Sequence, residues 1–148
     1  MTARRYYGVQ EKQFHEYYVK ADKKAGVTGE NMLTILECRL DNVVYRMGLA
    51  SSRKEARQMV RHAHFTLNGK KVDIPSIICK VGDVIALREK SKASEKFKML
   101  VETSETAVIP KWLEIDHANA TAKVIALPKR DDIDFPFEEQ LIVELYSK

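Results

Sequence analysis

An α+β fold is predicted: a helical first domain and an inserted α/β domain built on a small, mostly antiparallel sheet. Three patterns predict it. Helical apolar spacing fills the first third of the 148-residue chain. Short strand-like segments bounded by turn residues fill the middle. A short apolar stretch, "FEEQLIVELYSK", closes it. That tail is too short for a domain of its own and is expected to fold back onto the first helices. The leading domain is then discontinuous, 1–38 with 133–148, and the α/β domain occupies 39–132.

The elements follow in order. "MTARRYYG" is basic and aromatic, which suits a surface segment. Gln10 to Ala25 reads as a helix, with Phe14, Tyr17, Tyr18, Ala21 and Ala25 at helical spacing and Gly26 as its terminator. Thr28 can cap a second helix over roughly 29–47, whose stripe is Leu33, Leu36, Leu40, Val43, Val44 and Met47. Gly48 stops it. Ser52 and Glu55 have the spacing of a capping box, which opens a short helix ending near His62. Ala56, Met59 and Val60 face inward. "HFTLNGKKV" is a hairpin around Asn68-Gly69, because that pair tolerates the positive φ of a tight turn. Ile74-Pro75 breaks the strand, and Val84 to Leu87 is the next one. "REKSKASEK" is a charged connector, and 94–103 is helical with Phe97, Leu100 and Val101 apolar. "WLEI" and "AKVIAL" are strands joined by "DHANAT", and "PKRDDIDFP" is a polar loop. The tail reads as a helix, although "LIVELY" fits a buried strand equally well.

Composition narrows the class. Apolar residues make up 45% and charged residues 31%, as in an ordinary globular protein. No apolar run approaches the roughly 18 residues of a membrane span, and no apolar segment suited to secretion stands near Met1. Cys38 and Cys79 sit among apolar neighbours, without CxxC or zinc-ligand spacing, so reduced structural thiols are expected in preference to a disulfide. The net charge of +4 is uneven. Residues 1–92 carry 18 Lys+Arg against 10 Asp+Glu, and 93–148 carry 7 against 11. A basic front and an acidic back point to a polyanion-binding surface on one part only.

That surface centres on "SSRKEARQMVRHAHFTLNGKKV". Arg53, Arg57 and Arg61 lie four residues apart, on one helix face opposite Met59 and Val60. Lys54 flanks them, and Arg46 ends the preceding helix. His62, His64, Asn68, Lys70 and Lys71 follow within one supersecondary unit. Guanidiniums fork onto phosphate oxygens and stack on bases, and imidazole and amide groups add hydrogen bonds to sugars and base edges. A basic helix face is usually only solvated surface. Basic groups at both helix ends and at the turn shift the reading toward structured RNA, where shape and phosphate contacts dominate.

The stretch "RLDNVVYRMGLASSRKEARQMVRHAHFTLNGKKVDIPSIICKVGDVI" closely resembles the RNA-binding module of the bacterial small-subunit ribosomal protein four family, here at about 39–88. "RRYYGVQEKQF" and "GVTGENMLTILECRLDNVVYR" resemble that family's first-domain helices, and "LIVELYSK" its C-terminus. The resemblance implies a primary assembly protein of the small subunit with a role in translational accuracy, cytoplasmic and ribosome-associated, without enzymatic activity. Some members carry zinc-binding cysteines, but with no CxxC or zinc-ligand spacing here no metal or cofactor is expected. Its implied partners are a junction in the 5′ domain of small-subunit ribosomal RNA, ribosomal proteins five and three, and in some members messenger RNA. No membrane is implied. The matching RNA-facing positions are Arg46, Arg53, Lys54, Arg57, Gln58, Arg61, His62, His64, Asn68, Lys70 and Lys71, with Arg4, Arg5, Tyr6 and Tyr7 as the family's basic-aromatic segment. Members usually carry several dozen residues before such a "RRYYGV", and here Met1-Thr2-Ala3 stands directly before it.

Other residues are weighed against blander roles. Asp131, Asp132 and Asp134 lack Ca²⁺-loop spacing and read as a solvated acidic loop. Trp112, Tyr17 and Tyr18 fit a core better than a base-stacking platform, whereas Tyr6 and Tyr7 beside two arginines suit stacking on RNA. Two other functions compete. An RNA-modifying enzyme such as a pseudouridine synthase can carry a similar module but needs a catalytic domain, for which too little chain follows. A translational regulator or specialised paralogue would bind messenger RNA or ribosomes without being a stoichiometric subunit.

Overall fold

The computed structural model describes residues 3–133 and divides into two compact units. Among the described residues, one takes in 3–37 and 128–133, and the other is Cys38–Leu127. The terminal "FEEQLIVELYSK", expected as a helix, and Asp134 lie outside the described residues.

In the first unit, helices α1 (Ala3–Tyr7), α2 (Glu11–Lys23) and α3 (Thr28–Glu37) are followed, after the second unit, by a 3-10 turn at Arg130–Asp132. Its core holds Tyr7, Phe14, Tyr17, Tyr18, Met32, Leu33, Leu36 and Ile133. The apolar residues of α2 fall on one face because their spacing matches the helical period. Gly26, at φ +107°, turns the chain. Asn31 then donates through Nδ2 to the carbonyls of Ala21 and Ala25, satisfying acceptors at the end of α2. Thr28 does not cap α3. It lies in the first turn, and its hydroxyl donates to Asp22 Oδ1 at 3.4 Å.

The second unit holds α4 (Leu40–Arg46), α5 (Arg53–Arg61), β1 (Phe65–Leu67), β2 (Lys70–Val72), β3 (Val84–Leu87), α6 (Glu89–Lys92), α7 (Glu95–Ser104), β4 (Leu113–Asp116) and β5 (Thr121–Val124). The strands form one antiparallel sheet in the order β2-β1-β3-β5-β4. One sheet face packs on α4, α5 and α7 through Phe65, Ile85, Leu87, Val43, Val44, Val60 and Phe97. Trp112 belongs to this core, as Tyr17 and Tyr18 belong to the other. The α+β class is as expected from sequence, and among the described residues no helix is long and apolar enough to cross a membrane.

The single helix expected over 29–47 is two. Arg39 has ψ 142°, and its residue bridges Ile78 in antiparallel fashion. Leu40 N–H donates to the Ile77 carbonyl, Asp41 N–H to Pro75, and Cys79 N–H to Cys38. Backbone groups that a continuous helix would satisfy internally are satisfied by the 75–79 segment instead. Cys38 and Cys79 are buried free thiols. Burial, and then Asp83, Cys38 and Asp41, push the Cys79 thiol up to about 12, so it is protonated and unreactive near neutrality.

Candidate nucleic-acid interface

The turn into α5 is fixed by Ser52, whose Oγ accepts from Glu55 N–H at 3.1 Å. The reciprocal half of the expected capping box is replaced: the Glu55 carboxylate accepts from Ser51 Oγ at 2.7 Å. Ala56, Met59 and Val60 bury the inner face of α5. The outer face divides into two parts. Arg53 and Arg57 are half-buried and reach back to α4, while Lys54, Gln58, Arg61 and the following His62 are exposed.

The inward contacts are specific. Arg57 Nε donates to Asp41 Oδ2 at 3.2 Å. Arg39 forks onto the same carboxylate, Nε to Oδ1 at 3.1 Å and Nη2 to Oδ2 at 3.0 Å. Arg53 Nε donates to Asn42 Oδ1 at 2.8 Å, and its guanidinium lies 4.4 Å from the Tyr45 ring centroid. Asp41 and Asn42 are buried. A buried carboxylate needs such partners, since an unpaired charge in the interior is costly. Arg46, half-buried, lies 6.0 Å from the same ring. These contacts hold the two helices as one platform and fix where Lys54, Gln58 and Arg61 point.

Asn68 does more than turn the hairpin. Its φ of +53° and the +84° of Gly69 make the tight turn. Its side chain also accepts from Val84 N–H at 2.8 Å and donates to Asp83 Oδ1 at 3.0 Å. The amide that could have read a base edge is thus occupied in bracing β3. Lys70 and Lys71 are exposed on β2, the sheet's edge strand. Strand alternation sends them to opposite faces: Lys70 pairs with Leu67 on the core side and Lys71 with Thr66 on the other. His64 is half-buried, with Nδ1 2.8 Å from Ser91 Oγ and its ring 4.7 Å from Phe97. Burial, then His62, Lys96 and Arg88, lower its pKa.

Arg4, Arg5, Tyr6 and Tyr7 belong to the first unit. Arg5 is exposed, Arg4 and Tyr6 are half-buried, and Arg4 Nε lies 3.3 Å from Glu11 Oε2. Tyr7 corrects the surface reading of this segment. It is 1% exposed, and its hydroxyl donates to the buried Glu37 at 2.6 Å. A ring so placed belongs to the core and cannot stack on a base.

The residues that sequence reasoning missed are Arg39, Asp41, Asn42 and Tyr45. A usable signal was present. Asp41 and Tyr45 are four apart, as are Arg53 and Arg57, so two adjacent helices each carry a ladder of complementary groups.

Comparison with known proteins fits this geometry. Residues 38–85 match the family model of the S4 domain, and residues 2–37 that of the Ribosomal protein S4/S9 N-terminal domain. The small ribosomal subunit protein uS4 of Acetivibrio thermocellus is 64% identical over 146 residues, covering 99% of this chain and 70% of the relative. The chain belongs to the uS4 family. In Clostridioides difficile the uS4 relative is 61% identical over 145 residues, 98% of this chain and 70% of its own. Small ribosomal subunit protein uS4A of Alkaliphilus oremlandii is 59% identical over 146 residues, with 99% and 70% covered. The uS4 match bears out the resemblance drawn from the sequence, and its domain boundary at 37/38 falls where the structure breaks the expected helix.

Proposed function

We propose that the chain is a structural constituent of the small ribosomal subunit that binds the 5′ domain of small-subunit ribosomal RNA and takes part in its assembly. One observation carries the reading: the basic outer face of α5 is held against α4 by Arg53 and Arg57, so that Lys54, Gln58, Arg61 and His62 are presented from a fixed platform. A basic face carried on a fixed backbone suits a folded polyanion, because little backbone freedom remains to be lost on binding. Lys70 and Arg46 extend the face, while Lys71 stands on the other side of the sheet edge. Arg53 and Arg57 contribute through placement and field as well as through any direct phosphate contact. Arg4, Arg5 and Tyr6 supply a second contact from the first unit.

The reading assigns no catalysis to the chain. It places the chain on the cytoplasmic ribosome, with ribosomal proteins five and three as neighbours and messenger RNA as a further ligand. The test is titration of a 5′-domain ribosomal RNA transcript against salt, with transfer RNA as competitor. Binding that survives the competitor, and a salt slope reduced by about 1 in each of Lys54→Gln and Arg61→Gln, support it. Binding abolished by the competitor would reduce the surface to electrostatic adhesion and overturn it.

A further inference from the structure

The matched RNA module ends at residue 85, but the positive surface does not. Residues 88–98 carry five Lys+Arg (Arg88, Lys90, Lys92, Lys96, Lys98) against Glu89 and Glu95. The two glutamates are taken by Lys92 at 3.0 Å and Lys98 at 3.8 Å. Arg88, Lys90 and Lys96 have no ion-pair partner among the described residues.

The fold brings part of this segment to the C-terminal end of α5. Arg88 N–H donates to the His64 carbonyl at 2.8 Å, and Arg88 Nη1 to the Ala63 carbonyl at 2.9 Å. Ser91 meets the His64 ring. Ser94 caps α7 by accepting from Phe97 N–H at 3.2 Å, and buried Phe97 anchors that helix in the core beside His64. Lys96 is near enough to act electrostatically on His64, as are Arg88 and His62. Arg61, His62, Arg88 and Lys96 therefore crowd one end of α5, on backbone fixed by hydrogen bonds.

We infer that Arg88 and Lys96 form a second phosphate-binding shelf, continuous with the α5 face through Arg61 and His62, which holds a further stretch of the same structured RNA. This rests on the RNA-binding reading and deepens it by adding a contact outside the matched module. Like charges gathered on a rigid surface repel one another, and a polyanion lying across them relieves that repulsion while releasing its own counterions.

Lys96 is the residue to test, because it is exposed and its removal should leave folding intact. Lys96→Gln, Lys96→Glu, Lys54→Gln and Lys123→Gln are titrated with the 5′-domain transcript across a salt series. Lys123 lies on the opposite face of the sheet, paired with Val84, and its loss changes net charge equally. The expected result is a salt slope lower by about 1 for Lys96→Gln, weaker binding for Lys96→Glu than for Lys96→Gln, and no change for Lys123→Gln. If Lys54→Gln weakens binding while both Lys96 variants match the unsubstituted protein, the shelf is overturned and the RNA-binding reading stands. Equal losses for Lys96→Gln and Lys123→Gln would mean net charge alone acts, which also overturns it. If the unsubstituted protein fails to bind, the reading and the shelf fall together.

Discussion

Arg57 and Asp41 meet at 3.2 Å across the α4–α5 interface, and Arg39 forks onto the same carboxylate. The Asp41 side chain is 1% exposed and that of Arg57 19%. The pair therefore links the core to the binding face. Removing Asp41 takes the carboxylate from both arginines at once, whereas removing Arg57 leaves Asp41 with the Arg39 fork. Asp41→Ala should cost about 3–5 kcal/mol, and Arg57→Ala distinctly less. Urea unfolding of the two variants and of the double variant measures the coupling. Equal losses from the single variants would refute this asymmetry.

What the sequence made legible was local. The Asn68-Gly69 hairpin, the Ser52 cap and the inner face of α5 follow from residues within a few positions of one another. The break at Cys38–Arg39 was hidden, because segment 75–79, far along the chain, makes it. The apolar stripe runs through the break in phase, and no Gly or Pro marks it. The inward turn of Arg53 and Arg57 was hidden for a related reason. An arginine on a helix face reads as exposed until the buried acceptors opposite it, Asp41 and Asn42, are seen. Tyr7 was misread because its buried partner, Glu37, stands thirty residues away.

Ala63 closes α5 in a left-handed conformation, at φ +60°. Its N–H donates to the Val60 carbonyl and that of His64 to Met59, the bonding pattern of a Schellman cap with alanine where glycine is preferred. Glycine relieves about 1–2 kcal/mol of left-handed strain and adds about 0.4–1 kcal/mol of unfolded-state entropy. Ala63→Gly should therefore stabilise the protein by about 0.5–1 kcal/mol. A lower melting temperature for that variant would contradict the assignment.

Gly48 is the opposite case. At φ +84°, a Cβ there would stand 2.7 Å from Ala107 Cβ and 3.2 Å from the Ser104 carbonyl. Neither neighbour is the far end of a flexible side chain. Gly48→Ala should cost at least about 2 kcal/mol, from backbone strain plus overlap. Adding Ala107→Gly removes the overlap but not the strain, so the double variant should recover part of the loss. Full recovery or none, in chemical denaturation, would show that one of the two causes is absent.

His64 gives the molecule a pH dependence. Burial lowers its pKa from 6.5, reinforced by His62, Lys96 and Arg88, while Ser91 and Phe97 enclose the ring. The sign follows from proton counting. Above pH 6.5 the ring is neutral in both states and contributes no slope. As pH falls through 6.5 the unfolded chain takes up its proton first, so stability falls, and the loss levels off only below the folded-state pKa. Thermal unfolding from pH 7.5 down to 5 (a buffer range of about that width spans the window) should show a steeper decline for the unsubstituted protein than for His64→Gln. Loss of the Ser91 contact displaces the whole His64→Gln curve, so the slope is the readout, and parallel curves would refute the assignment.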